Sequence, residues 1–522
     1  MSPEQPDRRL APMPPLRPLN RTLLLALVVL KLAIHLPLLG RYGYFRDELY
    51  FLDCGRHLAW GYVDMAPMIA WIARAVLELG GSLELLRLVP ALAGAGLVAL
   101  AVVLARQLGG GAFAQAVAGL AVIVSPILLA FASLFTMNAF EPLVWTGCAL
   151  VLVHIVRTGD SRWWLLFGVL AGLGLMTKHS TLFFGFATAV AVLLTPLRRE
   201  LGRRWIWFGA GIALLIFLPN LIWQAANDFP TLEDLRNVRE MGKNVALAPG
   251  AFIAEQVVII HPVLAPVWLA GLWFLFFGRG RRFRALGWIF VVVFAALLAL
   301  KGKSYYVAPI YPMALAAGGV ALECWLGAIP VRWGRVVARA AVLAVIVVLG
   351  AVTAPLFMPL LEPDDYVAYQ QRLGFAPSKT EVAHVGPLPQ MIGDQFGWPE
   401  LVDEVARIYH ALPPEERAVA CIFATNYGEA GAINHFGPEH GLPRAISGHQ
   451  TYFFWGPGDC TGEVVIVLQS SEEGLAEIFD SVEVAGRHFH PWGMAEENRP
   501  IHVARGITVP LDDLWPQVKH WN

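Results

Sequence analysis

The chain has 522 residues, of which 57% are hydrophobic and only 15% charged, and its mean hydropathy is +0.56. A soluble globular protein is roughly half apolar and a quarter charged. These values therefore exclude a purely soluble enzyme, a disordered chain and a coiled coil, and the long apolar runs indicate a polytopic membrane protein. Basic and acidic residues nearly cancel, 39 against 40, so no overall basic excess points to nucleic acid.

Residues 1–20 are proline-rich and carry Arg8, Arg9 and Arg17. The apolar run that follows has no small-residue cleavage signature. It reads as a retained first helix behind a short cytoplasmic tail. About 20 apolar residues cross a bilayer as a helix. On that basis eleven spans are expected, at about 22–40, 85–106, 113–132, 140–157, 163–177, 180–196, 205–224, 257–278, 285–300, 307–328 and 338–358. With the N-terminus inside, the Arg-dense connections all fall on one side: Arg106, Arg157 to Arg162, Arg198 to Arg204, Arg279 to Arg284 and Arg332 to Arg339. That is the distribution the positive-inside rule requires. An odd span count then sends the C-terminal segment outside.

The transmembrane module is expected over 21–359, with a long outer loop at 41–84, and residues 360–522 read as a soluble extracytoplasmic α/β domain. In that domain 400–411 is amphipathic, 418–424 apolar, and 463–468, 481–486 and 501–507 strand-like. The five cysteines form no CxxC pair. Cys421 and Cys460 share the outer segment, where a disulfide is permitted; buried thiols are the plain alternative.

Ionisable groups at membrane depth are costly and become functional candidates. Four polar clusters fall on the expected outer side. The first, in the 41–84 loop, holds Tyr44, Arg46, Asp47, Glu48, Tyr50, His57 and Asp64, on what look like two interfacial helices joined by a Gly-Pro turn. Asp47 and Glu48 are adjacent, so on a helix one faces a site while the other braces it or faces solvent. The second holds Asn138 and Glu141, and Glu141 fits equally a helix-dipole carboxylate and a site residue. The third is Lys178-His179-Ser180, where Lys178 reads either as a snorkelling cation or as an anion site. The fourth runs from Lys301 to Pro312, with Lys303, Tyr305, Tyr306 and Tyr311. Lysines hold phosphate as point charges, tyrosines donate to its oxygens, and irregular backbone at this depth lines a cavity. The 225–250 loop, with Asp228, Glu233 and Lys243, is placed to cover the same cavity. Lys31, inside the first span, has no evident partner.

Several of these stretches resemble glycosyltransferase family 39, the group similar to dolichyl-phosphate-mannose-protein mannosyltransferases and bacterial aminoarabinose transferases, with the GT-C fold. They are Arg46-Asp47-Glu48-Leu-Tyr50, Gly55-Arg56-His57 to Pro67, Gly174-Leu-Met-Thr-Lys178-His179, Pro219-Asn220-Leu-Ile-Trp223-Gln224, His261-Pro-Val-Leu-Ala-Pro-Val-Trp and Lys303-Ser-Tyr305-Tyr306 to Pro312. In the tail, Asn426-Tyr427-Gly-Glu429 and Ser447-Gly-His449-Gln450 resemble bacterial members. The resemblance implies transfer of one sugar from a polyprenyl-phosphate sugar at the outer membrane face. It implies Asp47 as base or acceptor-positioning group with Glu48 as companion, and Lys178, Lys303, Tyr305 and Tyr306 around the donor phosphate. Tyr44, Arg46, Tyr50, His57, Asp64, Glu141 and Tyr311 are the candidate substrate-binding residues. Met65-Ala66 departs from the Gln/Lys-Pro pair of many bacterial relatives.

The partners implied are the lipid-linked donor, membrane lipids and a lipid, polysaccharide or protein acceptor, in the inner (plasma) membrane. No motif identifies a cofactor, and a divalent cation is left open. Asp47, Glu48 and Asp64 offer oxygens to a divalent cation, but no ligand spacing demands one. A transporter or flippase of lipid-linked sugars is the alternative. It would carry charges near the bilayer midplane and inverted symmetry, whereas the clusters here sit at span ends.

Overall fold

A computed structural model describes residues 16–375, 381–382 and 386–522; most of the expected cytoplasmic tail lies outside the described residues. Helix α1 (Arg21–His35) starts at Asn20, whose side chain accepts the Leu23 N–H, a standard N-cap. There follow α2 (Arg46–Arg56), α3 (Met68–Glu78), α4 (Leu83–Gln107), α5 (Ala112–Val124), α6 (Pro126–Phe131), α7 (Glu141–Thr158), α8 (Trp164–Thr177), α9 (Thr181–Leu194), α10 (Arg204–Ala226), α11 (Pro230–Glu240), α12 (Pro249–Ile260), α13 (Ala265–Phe276), α14 (Arg284–Ala299), α15 (Tyr311–Gly327) and α16 (Arg332–Thr353).

Among the described residues, seven helical stretches are long and apolar enough to cross a membrane, or up to nine if two bent pairs each count as one span. The pairs bend by 101° at Thr195-Pro196 and by 97° at His261-Pro262. Proline disfavours helical backbone at the residue before it, and Thr195 is accordingly extended. Two shorter apolar helical stretches lie at Ala112–Val124 and Ser161–Thr177. Close packing depends on small residues: a Cβ on Gly271 of α13 would overlap the Ala314 carbonyl of α15, and one on Gly318 would overlap that of Val267. Lys31 is fully buried and its ammonium donates to the Leu128 carbonyl at 3.3 Å. That places it where Ser125-Pro126 breaks the chain between α5 and α6.

The two ends of the bundle differ chemically. At one end the Arg106 guanidinium donates to the Arg17 carbonyl, Arg157 donates to the Gln107 carbonyl, and Glu323 accepts from the Gly111 N–H. At the other end lie the 41–84 loop, Lys178 and Lys303. Helix α2 is not an interfacial helix lying on a membrane surface. Residues 48–55 are all buried, because α2 is packed between α3 and the helix Tyr427–Phe436. A Cβ on Gly431 would come within 2.9 Å of the Leu49 side chain, so glycine allows this close approach.

The C-terminal region forms a five-stranded mixed sheet: β1 (Ala420–Phe423), β2 (Ala445–Ile446), β3 (Val464–Leu468), β4 (Phe479–Arg487) and β5 (Pro500–Ile507), in the order β2-β1-β3-β5-β4. β1 is parallel to β2 and β3, and β5 is antiparallel to β3 and β4. Alternation sorts the side chains. Ile422, Val464, Ile466, Ile501 and Val503 share a core with Leu49, Phe51 and Trp398, while Cys421, Val465, Val467 and Ala504 pack on the other face. The 41–84 loop and the sheet thus have one core. Cys421 and Cys460 are disulfide-bonded, 39 residues apart in sequence. Cys421→Ser is expected to destabilise the sheet by about 2–4 kcal/mol. Thermal unfolding of the oxidised and substituted proteins measures the difference.

Candidate functional site

The site forms where the start of α2, the turn before α15 and the C-terminal region meet. Asp47 lies in the first turn of α2, where the helix dipole favours a carboxylate. Its side chain is 31% exposed, against 0% for Glu48 and Asp394, 1% for Glu141 and 14% for Glu381. It is thus the carboxylate of this region most open to a substrate. The Tyr427 hydroxyl donates to it at 2.8 Å.

Glu48, its neighbour, turns the other way. Its carboxylate accepts the Arg87 guanidinium at 2.9 and 3.1 Å, the Phe45 N–H and the Phe135 N–H. With its lone pairs engaged and no exposed surface, Glu48 braces the loop and does not face substrate, which corrects the catalytic role expected for it. Arg87 also donates to the Gly43 and Arg41 carbonyls and to Gln395, so one buried guanidinium joins the loop, α4 and the C-terminal region.

Around Asp47 the charges are mixed. The Arg46 Nε lies 3.9 Å from Asp47 and 3.6 Å from Asp394, its Nη2 lies 3.9 Å from Glu381, and the guanidinium sits over the Tyr427 ring. The Lys303 ammonium is 3.0 Å from Glu381. Burial opposes the Lys303 charge, but Tyr306, Glu381 and Asp47 outweigh it and raise its pKa. Burial also works against the Glu381 carboxylate, yet Lys303, Arg46 and Lys243 together hold its pKa at about 2. Asp394 is the opposite case: burial outweighs Arg46 and pushes its pKa up to about 8, which favours its protonated form. A raised acid pKa means the folded state gives most stability below the unfolded value near 4 and loses it as pH rises toward 8. Asp394→Asn, which keeps the neutral form, is expected to flatten that decline in a series of thermal melts between pH 4 and 8.

A second cluster adjoins the first through the Tyr305 and Tyr306 rings, whose centroids are 4.8 Å apart. Lys178 lies 4.3 Å from the Tyr306 ring centroid, donates to Asn138 at 2.7 Å and pairs with Glu141 at 3.3 Å. Ser180 also donates to Glu141. Here Glu141 and Lys178 satisfy each other.

Asp64 lies behind this region. It accepts the Tyr50 hydroxyl at 2.8 Å, and Tyr50 in turn contacts the Thr451 hydroxyl. Burial, with Asp234 adding to it, pushes Asp64 up to about 7. Three expected residues stand elsewhere. Tyr311 is fully buried among Trp268 and Phe290 and donates to Gln256, so it is a core residue and not a substrate contact. The Tyr44 ring packs on His435 and Phe436. His57 stacks on Trp455 and lines a separate cleft of about 480 Å³ with Trp223, Asn227 and Phe454.

The donor set does not fit a divalent cation. Glu48 is consumed by Arg87, Asp64 by Tyr50, and the near neighbour of Asp47 is a guanidinium. Among the described residues no three His, Cys, Asp or Glu side chains gather as metal ligands would. Asp394, Glu381 and Arg87 were not singled out from sequence. Arg87 alone left a signal, as a cation among the apolar residues of an expected span.

A bundle of apolar helices bearing a buried polar site beside a mixed-sheet domain is an architecture of the GT-C type. The chain is a glycosyltransferase and resembles family 39. A family model described as dolichyl-phosphate-mannose-protein mannosyltransferase matches residues 64–223. The lipid A galacturonosyltransferase RgtD of Rhizobium johnstonii is 25% identical over 440 residues, covering 82% of this chain and 89% of that one. Among solved structures, ArnT from Cupriavidus metallidurans bound to undecaprenyl phosphate superposes with a TM-score of 0.60 at 16% identity, over 92% of this chain and 97% of that one. The Archaeoglobus fulgidus oligosaccharyltransferase gives 0.50 at 12% identity, over 87% and 69%. These structural likenesses define the fold.

Proposed function

We propose that this chain moves a single sugar from a polyprenyl-phosphate-linked donor to an acceptor hydroxyl at the outer face of the plasma membrane. The observation that carries this reading is the pairing of one accessible carboxylate, Asp47, with a cation group of Arg46, Lys303 and Lys243. In the proposed step Asp47 takes the proton of the acceptor hydroxyl as its oxygen bonds to the anomeric carbon. The bond from that carbon to the phosphate oxygen breaks, and the phosphate leaves with the electron pair, stabilised by the cations. Tyr427 fixes the Asp47 rotamer, while Lys178 and Tyr306 flank the donor.

In this reading the membrane module extends to 359 with eleven spans, the N-terminus is cytoplasmic and residues 360–522 are extracytoplasmic. The Cys421–Cys460 disulfide supports that placement, since such bonds persist in oxidising compartments. RgtD, by its name, acts on lipid A, and a lipid acceptor is the reading we favour over a polysaccharide or protein.

The test incubates the purified protein with a radiolabelled undecaprenyl-phosphate sugar and a lipid extract. A glycosylated lipid is expected. Donor crossing a vesicle membrane without any glycosidic product would instead make the chain a transporter. Lys303→Ala is expected to raise the donor KM about tenfold or more, as loss of a charge-assisted contact to phosphate implies. An unchanged donor KM removes Lys303 from the site.

A further inference from the structure

Glu381 is held like a bound ligand. Lys303 meets one carboxylate oxygen at 3.0 Å, Gln390 donates to the other at 3.0 Å, Arg46 approaches to 3.9 Å and Lys243 acts on it electrostatically. A carboxylate and a phosphate present similar oxygens to the same donors. Glu381 reaches this position from outside the bundle: its backbone bridges Asn244, and the Val382 N–H donates to the Lys243 carbonyl.

The charges show what this does. Arg46, Lys303 and Lys243 all act on Glu381, and its carboxylate offsets part of their positive charge. With Glu381 withdrawn the pocket is more positive by one charge than with Glu381 in place. A polyprenyl-phosphate sugar is a phosphodiester with one negative charge. The polyprenyl phosphate left after transfer is a monoester with about −1.5 to −2. A pocket with Glu381 withdrawn would match the product better than the donor.

We propose that Glu381 is a resident counter-anion of the donor-phosphate site: it occupies Lys303 and Arg46 before the donor arrives and competes with the product phosphate for them afterwards. The proposal rests on Lys303 being a phosphate ligand. Glu381 is then a positioning residue that weakens phosphate binding and speeds release of the lipid product. Removing its charge should tighten binding, the opposite of what loss of a merely structural contact does.

The experiment measures binding of undecaprenyl phosphate to the full-length protein in nanodiscs. Wild type is compared with Glu381→Gln, Glu381→Asp and Lys303→Ala, with turnover recorded in parallel. Glu381→Gln is expected to bind about tenfold tighter, with a lower kcat wherever product release limits turnover. Glu381→Asp, which keeps the charge, is expected to stay close to wild type and Lys303→Ala to bind more weakly. Unchanged or weaker binding by Glu381→Gln, with Lys303→Ala still weakened, overturns the counter-anion role and leaves the phosphate site standing. Equal tightening by the Gln and Asp variants also overturns it, since the effect would be one of shape. No effect of Lys303→Ala sinks the phosphate site and this inference with it. Should Glu381→Gln fail to fold, Glu381→Ala replaces it: binding of undecaprenyl phosphate tighter than wild type supports the counter-anion role, and equal or weaker binding overturns it.

Discussion

Asp47→Asn is expected to abolish sugar transfer, with kcat lowered by about 10²–10⁴-fold, the range typical of general acid–base groups. The amide keeps the shape and can still meet the Tyr427 hydroxyl, which lies 2.8 Å from Asp47, but it cannot take a proton from an acceptor. Binding of undecaprenyl phosphate should survive, because the cations around Lys303 are untouched. A turnover assay paired with that binding measurement separates the two effects. Wild-type turnover by Asp47→Asn would remove Asp47 as the base. Tyr427→Phe should lower kcat less, since it leaves the carboxylate intact and only frees its rotamer.

Arg87→Leu is expected to be the most destabilising single change named here. Arg87 and Glu48 are 1% and 0% exposed and share two hydrogen bonds. Removing one partner leaves a buried charge without its counter-ion, a loss of about 3–5 kcal/mol. The same guanidinium also holds the Gly43 and Arg41 carbonyls and the Gln395 side chain, so the start of α2 would lose its attachment. Thermal unfolding in detergent measures this. Glu48→Gln together with Arg87→Met, which removes both charges, should recover much of the loss, whereas a structureless loop would show no difference between single and double variants.

Chain-level features were legible because they depend on local composition. Apolar runs mark helices that need no partner to be recognised, and arginine placement separates the two ends of the bundle. Alternation marked the strands of the sheet, because a side chain's face follows from its position in the strand. In the polar site the sequence pointed to Asp47, Lys178, Lys303 and Tyr306 as unusual residues at span ends. Residue spacing did not separate Asp47 from Glu48, which only the family resemblance ranked, since adjacent helix residues look alike until something packs against one of them. Tyr311 reads like Tyr305 and Tyr306, yet one further turn of helix carries it into the apolar core.

Composition and periodicity by themselves determined that this is a membrane chain with a C-terminal region free of long apolar runs and polar groups gathered at one end. Those properties arise from the cost of exposing backbone and charge to lipid, and that cost is paid residue by residue along the chain. The tertiary structure alone decided which carboxylates are free. Glu48 is spent on Arg87, Glu141 on Lys178, Glu381 on Lys303 and Asp394 on burial, and Asp47 alone among these keeps an open face. The charge state and availability of each group are set by partners up to several hundred residues away, and sequence spacing carries no record of them.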